Sequence, residues 1–213
     1  EVLSACPMEI EPDYEFSVKC EKQCTKTKGA ITTTNSFFKL FSRRILRSLS
    51  NQPFADKQSV VITESLAKKL FGKDENPLGK SIYIFNSCNA TISAVIEDFP
   101  ANSSIKANVL LNSENKEFRF NSNCHKHKCI NPTSHFILLD ERVNSAEFNS
   151  KLNCNISTYK FAIDSIGLQK LSDIYFDNSL KDNGNIRGNR ILISVLIAIG
   201  VLIMFLSLIN YLN

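Results

Sequence analysis

From Ile191 to Leu212 the chain reads ILISVLIAIGVLIMFLSLINYL, an unbroken run without a charged residue. About 22 residues at ~1.5 Å each reach roughly 33 Å, enough to cross a bilayer core of about 30 Å. A soluble core helix of that length would be unusual, so the run predicts a membrane span. Arg187 and Arg190 stand just before it, where their charges can reach head groups, and Asn210, Tyr211 and Asn213 mark the far boundary. Ser194, Gly200, Ser207 and Asn210 are its small or polar members and suit either packing against partner helices or an ordinary place in a span. Because the sequence stops at Asn213, charge bias across the span gives no orientation.

All charged residues precede Ile191, so the net charge of +4 belongs to the part outside the membrane. That balance is mildly basic and far short of a nucleic-acid-binding surface; a solvated surface of mixed sign accounts for it. With 213 residues, 43% of them hydrophobic and 22% charged, the chain can bury one or two cores and is not a disordered polymer. It carries no initiator Met, signal peptide or earlier span, and so reads as a fragment that begins inside a domain.

The densest structural signals lie in Val60–Pro100. Val60, Val61 and Ile62 form a β-branched run suited to a buried strand, and Thr63 offers a hydroxyl as N-cap for a helix over Glu64–Phe71. Leu66, Ala67, Leu70 and Phe71 share one face of that helix. Gly72 stands where a left-handed C-cap is wanted, Lys73–Asn76 makes a polar loop, and Pro77 prevents the helix from resuming. Gly79 and Lys80 turn the chain into a strand at Ser81–Phe85, Asn86–Asn89 reads as a hairpin loop, and Thr91–Ile96 supplies a third strand that stops at Glu97-Asp98-Phe99-Pro100. The unit is strand, helix, hairpin.

This stretch resembles the extracytoplasmic core segment of the FtsX/MacB-like permeases of ABC transporters, particularly the Bacteroidetes-type members. The matching residues run from Val61 to Gly72, then Asn76-Pro77-Leu78-Gly79-Lys80, then Val95-Ile96-Glu97-Asp98-Phe99-Pro100-Ala101-Asn102-Ser103. Upstream, Ser36–Phe41 is similar to the family's aromatic element, and downstream Leu168–Tyr175 is similar to the element that precedes the second span. The residues singled out on this basis are structural: Thr63, Gly72, Pro77, Gly79 and Pro100.

The first thirty residues are less legible. Glu15–Lys19 alternates like a half-buried strand and Ala30–Thr34 suits a second. Asn35 or Ser36 can cap a short turn in which Phe37, Leu40 and Phe41 face a core, and Arg43, Arg44 and Arg47 around Ile45 and Leu46 read as a solvated strand face. Ile105–Leu111 reads as a further strand and Asn112–Lys128 as an exposed polar excursion. His135–Leu139 is a strand, and Asn144 caps a helix over Ser145–Leu152, with Glu147 at the capping-box position and Phe148 and Leu152 on one face. Short strands are expected near Phe161–Ile163 and Leu168–Leu171, followed by a glycine-bearing linker at Lys181–Gly188.

Three kinds of site chemistry are set aside. Cys124, His127 and Cys129, with His125, are the one metal-like cluster, but adjacent Cys124 and His125 cannot easily aim at one tetrahedral centre and Lys116, Lys126 and Lys128 repel a cation. A loop disulfide or free thiols suit these cysteines better; seven cysteines leave at least one unpaired, and their connectivity is open. Gly79-Lys80-Ser81 is not a phosphate loop, because position 74 is Asp74 and the order runs from helix to strand. No nucleophile elbow accompanies the three histidines.

The expected fold is α+β, a MacB-like periplasmic core domain of mixed strands and short packed helices over residues 1–186, with a possible inserted lobe at 51–131, then a linker and transmembrane helix over 187–213. The resemblance implies a non-catalytic permease subunit in the bacterial inner membrane, with its domain facing the periplasm, no cofactor and no nucleic acid. It implies as partners a cytoplasmic ABC ATPase subunit, a second permease in a homo- or heterodimer, membrane lipid, and a peptide, lipoprotein or periplasmic protein as cargo, with motion rather than local chemistry as the output. The rival expectation is a single-span anchored receptor or interaction module with no ATPase.

Overall fold

The computed structural model describes residues 1–21, 23–85, 88–118, 133–158, 166–174 and 188–212. It divides into two units, Glu1–Ile166 and Gly167–Asn213. In chain order the first unit contains β1 (Val2–Lys19), β2 (Cys24–Thr33), α1 (Ser36–Leu40), β3 (Ile45–Ser48), β4 (Ser59–Thr63), α2 (Glu64–Phe71), β5 (Ser81–Ile84), β6 (Cys88–Ile96), β7 (Val109–Asn112), a 3₁₀ turn (Lys116–Phe118), β8 (Thr133–Leu139) and α3 (Ser145–Thr158). The second contains α4 (Leu171–Ile174) and α5 (Arg190–Leu212).

The eight strands form one mixed sheet in the order β2-β7-β4-β6-β5-β1-β8, with β3 added alongside β6. Because β1 also pairs antiparallel with β2, the pairings β1-β2-β7-β4-β6-β5-β1 run in a closed ring. Period-2 alternation then gives the ring two apolar faces. Val60 and Ile62 of β4 and Val109 and Leu111 of β7 enter a core covered by Leu66, Ala67 and Leu70 of α2. Their neighbours Val61 and Leu110 enter a second core with Phe37, Phe38 and Phe54. All of β4 is buried, as its β-branched run predicts.

Two irregularities let the strands serve both cores. In β6, Ile92 faces the first core and Ala94 and Ile96 the second, but so does Val95 face the first, because the register against β4 skips Ser93. The Ser93 hydroxyl donates to Val60 O at 3.1 Å and to Pro53 O, and its carbonyl accepts from Leu49 N at 2.9 Å, so the bulge satisfies its own polar groups. In β1, Cys6, Met8 and Ile10 face the second core while Phe16 and Val18 face the first, a switch made by an irregularity between Glu11 and Glu15. Opposite it stands Gly29, at φ +80°, where an added Cβ would lie 3.2 Å from both Pro12 O and Ala107 Cα. Backbone conformation and close approach both require glycine there.

Several expectations are corrected. β1 begins at Val2 rather than near Glu15, because its first half pairs with β8, with Pro7 opposite His135. Cys88 and Asn89 belong to β6 rather than to a loop. β7 starts at Val109 and not at Ile105, and the excursion after Asn112 is interrupted by the 3₁₀ turn whose Phe118 is fully buried. Phe37, Leu40 and Phe41 do face a core, the second one, and Phe38, unexpected there, is buried in it with Phe37. Asn35 spends its side chain on Phe54, donating to its carbonyl at 2.9 Å and accepting from its N–H at 2.9 Å, and does not cap α1. Leu171 opens a helical turn, not the end of a strand. α3 is capped as expected, with Asn144 Oδ1 accepting from Ala146 N at 2.9 Å, but runs on to Thr158. The strand expected near Phe161 and the linker from Lys181 to Arg187 lie outside the described residues.

α5 has 23 residues, an 18-residue stretch of it has a mean hydropathy of 3.0, and none of it is buried. Asn189 starts it, its side chain accepting from Ile191 N at 2.9 Å.

Candidate functional site

The five residues singled out from the sequence do not converge on one pocket. They fall at the two ends of α2, which at eight residues is about 12 Å long. Thr63 and Pro100 lie at its N-terminal end, and Gly72, Pro77 and Gly79 follow its C-terminal end.

At the N-terminal end Thr63 has extended geometry (φ −75°, ψ 159°), yet its hydroxyl makes no cap bond. That hydroxyl meets Asn108 Oδ1 at 3.4 Å instead, and the cap comes from a distant residue. Asp98 accepts from Ser65 N at 3.1 Å through Oδ1 and from Ser65 Oγ at 2.5 Å through Oδ2. A carboxylate here also opposes the positive end of the helix, and caps of this kind contribute about 1 kcal/mol. Arg43 closes the junction: its Nη2 donates to Asp98 O at 3.0 Å and its guanidinium lies 4.7 Å from the Phe99 ring centroid. The segment around Glu97–Pro100 is thereby fixed to both α2 and the chain leaving α1.

At the C-terminal end Gly72 adopts φ 82°, ψ −171°, a region almost closed to residues with a Cβ, and its N–H closes the helix on Lys68 O at 2.9 Å. Pro77 is buried. Gly79, also at positive φ, donates its N–H to Ile92 O at 2.8 Å, and Lys80 O accepts from Ile92 N at 3.0 Å, so the turn extends the β5–β6 ladder. The Lys80 ammonium pairs with Glu75 and lies 4.6 Å from the Phe71 ring centroid.

Beside this turn a cavity of about 380 Å³ opens between Cys20 and Glu21 at the end of β1, Leu70 and Phe71 of α2, and Lys80 and Ser81 at the start of β5. The Cys20 thiol is buried and donates to Leu70 O at 3.7 Å. No histidine lines the cavity, and its lysine is engaged by a carboxylate and a ring. The arrangement can hold a group but offers no nucleophile paired with a base.

Elsewhere on the first unit some titratable groups form surface pairs. Hydrogen bonds from the Arg142 side chain and backbone hold Asp140 down to about 2, and the Lys151 side chain, 2.5 Å away, lowers Glu1. Burial raises the Cys6 thiol, against the opposing effect of hydrogen bonds to Thr33 and Ser36. Among the described residues no group of three or more His, Cys, Asp and Glu could hold a metal. Cys124, His127 and Cys129 lie outside them. Asp98 and Arg43 have roles that sequence reasoning missed: Asp98 reads there only as part of a strand stop and Arg43 as part of a solvated strand face, whereas Arg43 precedes β3 and holds Asp98; their partners are 33 and 55 positions away, so no local signal marks them.

A family model described as MacB-like periplasmic core domain matches residues 8–152. Among solved structures, a domain of an inferred permease protein from Porphyromonas gingivalis is similar with a TM-score of 0.59 and 21% identity, covering 76% of this chain and 71% of that one. The periplasmic region of MacB from Actinobacillus actinomycetemcomitans is similar with a TM-score of 0.53 and 16% identity, covering 74% of this chain and 67% of that one. At these identities the likeness is one of fold. Among curated proteins none matches.

Proposed function

The chain belongs to the family of MacB-like periplasmic core domains, and from that premise we propose that it is the extracytoplasmic part, with one adjoining span, of a non-catalytic permease subunit of an ABC transporter. The observation that carries the reading is the conjunction of the family match over residues 8–152 with the apolar helix α5, which is long enough to cross a bilayer. In this reading a cytoplasmic ATPase subunit hydrolyses ATP, the permease pair lies in the inner membrane, and the domain converts motion of its spans into work on a peptide, lipoprotein or periplasmic protein. The two junctions at the ends of α2 support it. The first ties segments distant in sequence to the start of the helix and the second fastens its end to the β5–β6 ladder, which suits a part that passes on movement rather than one that performs chemistry.

The test is purification of the full-length parent protein, gently solubilised from its own membrane, with mass spectrometry of what accompanies it. Recovery of an ATPase in near-stoichiometric amount is expected, and the extracytoplasmic proteins found with it become cargo candidates. Absence of any ATPase, under conditions that keep a known transporter intact, overturns the proposal in favour of a single-span anchored receptor.

A further inference from the structure

The ring of strands has one weak junction. Among the described residues β1 and β5 share two paired positions, Val18 with Ile84 and Lys19 with Tyr83, against three to eight at the other five junctions of the ring. Beyond Lys19 the next positions of the two strands, Cys20–Glu21 and Ser81–Ile82, are not paired, and the 380 Å³ cavity reaches Cys20, Glu21 and Ser81 there.

The side chain of Phe85 bridges this junction from the other end. Phe85, the residue after β5, has φ +57°, a left-handed conformation that a bulky side chain rarely adopts. That backbone carries its ring onto β1, 5.0 Å from the Phe16 centroid and 5.7 Å from Tyr14. Backbone strain of this kind persists where surrounding contacts over-determine it, and here the contacts bridge the seam.

We propose that the β1–β5 seam is a built-in opening line of the domain, with Phe85 as its latch. Release of the ring would separate β1 from β5 while β5 stays paired with β6 through four positions. The closed ring would become an open sheet, joined to the cavity beside Cys20. This device belongs to the domain itself and does not depend on the permease reading.

Hydrogen exchange of the full chain in lipid nanodiscs, followed by mass spectrometry at low urea concentrations, tests it. Segment 81–85 is expected to exchange about tenfold or more faster than β4, with a much weaker urea dependence, as local opening requires. Segment 88–91 of β6 should stay protected. Phe85→Asn tolerates the left-handed backbone and Phe85→Gly relieves it, yet both remove the ring, so both should speed exchange at 81–85 by a further factor of about ten, with the weak urea dependence of that segment retained. The proposal is overturned if 81–85 shares the rate and urea slope of β4, if 88–91 opens together with it, or if either variant leaves exchange at 81–85 unchanged or slows it.

Discussion

Two glycines show how a backbone requirement and a packing requirement differ. Gly72 has nothing within 4 Å of where a Cβ would stand, so Gly72→Ala meets only conformational strain, at an exposed position. Gly29 is confined between Pro12 and Ala107 as well as held at positive φ. Gly29→Ala should cost about 2–4 kcal/mol and Gly72→Ala about 1–2 kcal/mol in urea unfolding; an equal or larger loss at Gly72 would refute the close-approach argument. Gly72 was legible because a helix stop needs a glycine, whereas Gly29 looks like any glycine until its partners from other segments are known. Thr63 marks the opposite case. Its position as the residue just before the helix is right, but Asp98 provides the cap and its own hydroxyl turns to Asn108, a competition between segments that no local rule sees.

Among elements, β4, α2, β5 and β6 were readable because each is bounded by its own punctuation: a β-branched run, a glycine stop, a proline and a turn. β1 was not, because Pro7 and Pro12 argue against an interior strand, and its pairing is decided by β8, far along the chain. The bulges at Ser93 and after Glu11 hide in the same way, since each changes which core a residue meets without changing its type. The turn from β8 to α3 carries a pH dependence. Asp140 accepts from Arg142 N at 3.0 Å and from the Arg142 side chain at 2.9 Å, and its pKa is lowered to about 2. A carboxyl depressed in the folded state stabilises above its unfolded pKa of about 4 and loses that contribution as pH falls toward 2. Unfolding midpoints should therefore drop between about pH 5 and 2 more in the parent than in Arg142→Ala, and high salt should shrink the difference because the pair is exposed. Parallel acid profiles for the two proteins would refute this.

For the molecule as a whole, α5 sets the handling. Twenty-three residues rise to about 34 Å, and burying none of them within the chain leaves lipid as their natural environment. The full chain should remain in the pellet on alkaline extraction of membranes, and replacing Ile197 and Leu202 by Arg should release a measurable fraction, as charges at mid-span are strongly disfavoured. Quantitative release of the unaltered chain would refute the span. The long first strand has its own consequence for the order of assembly. Its N-terminal half finds its partner in β8, Val2 opposite Leu139, while its C-terminal half pairs at once with β2, Lys19 opposite Cys24. A hairpin can thus nucleate early, but Cys6 and Met8, both buried in the finished domain, must wait until well over a hundred further residues have been made. The segment synthesised first is among the last to be sheltered, so a nascent chain stalled before β8 should be the form most in need of a chaperone.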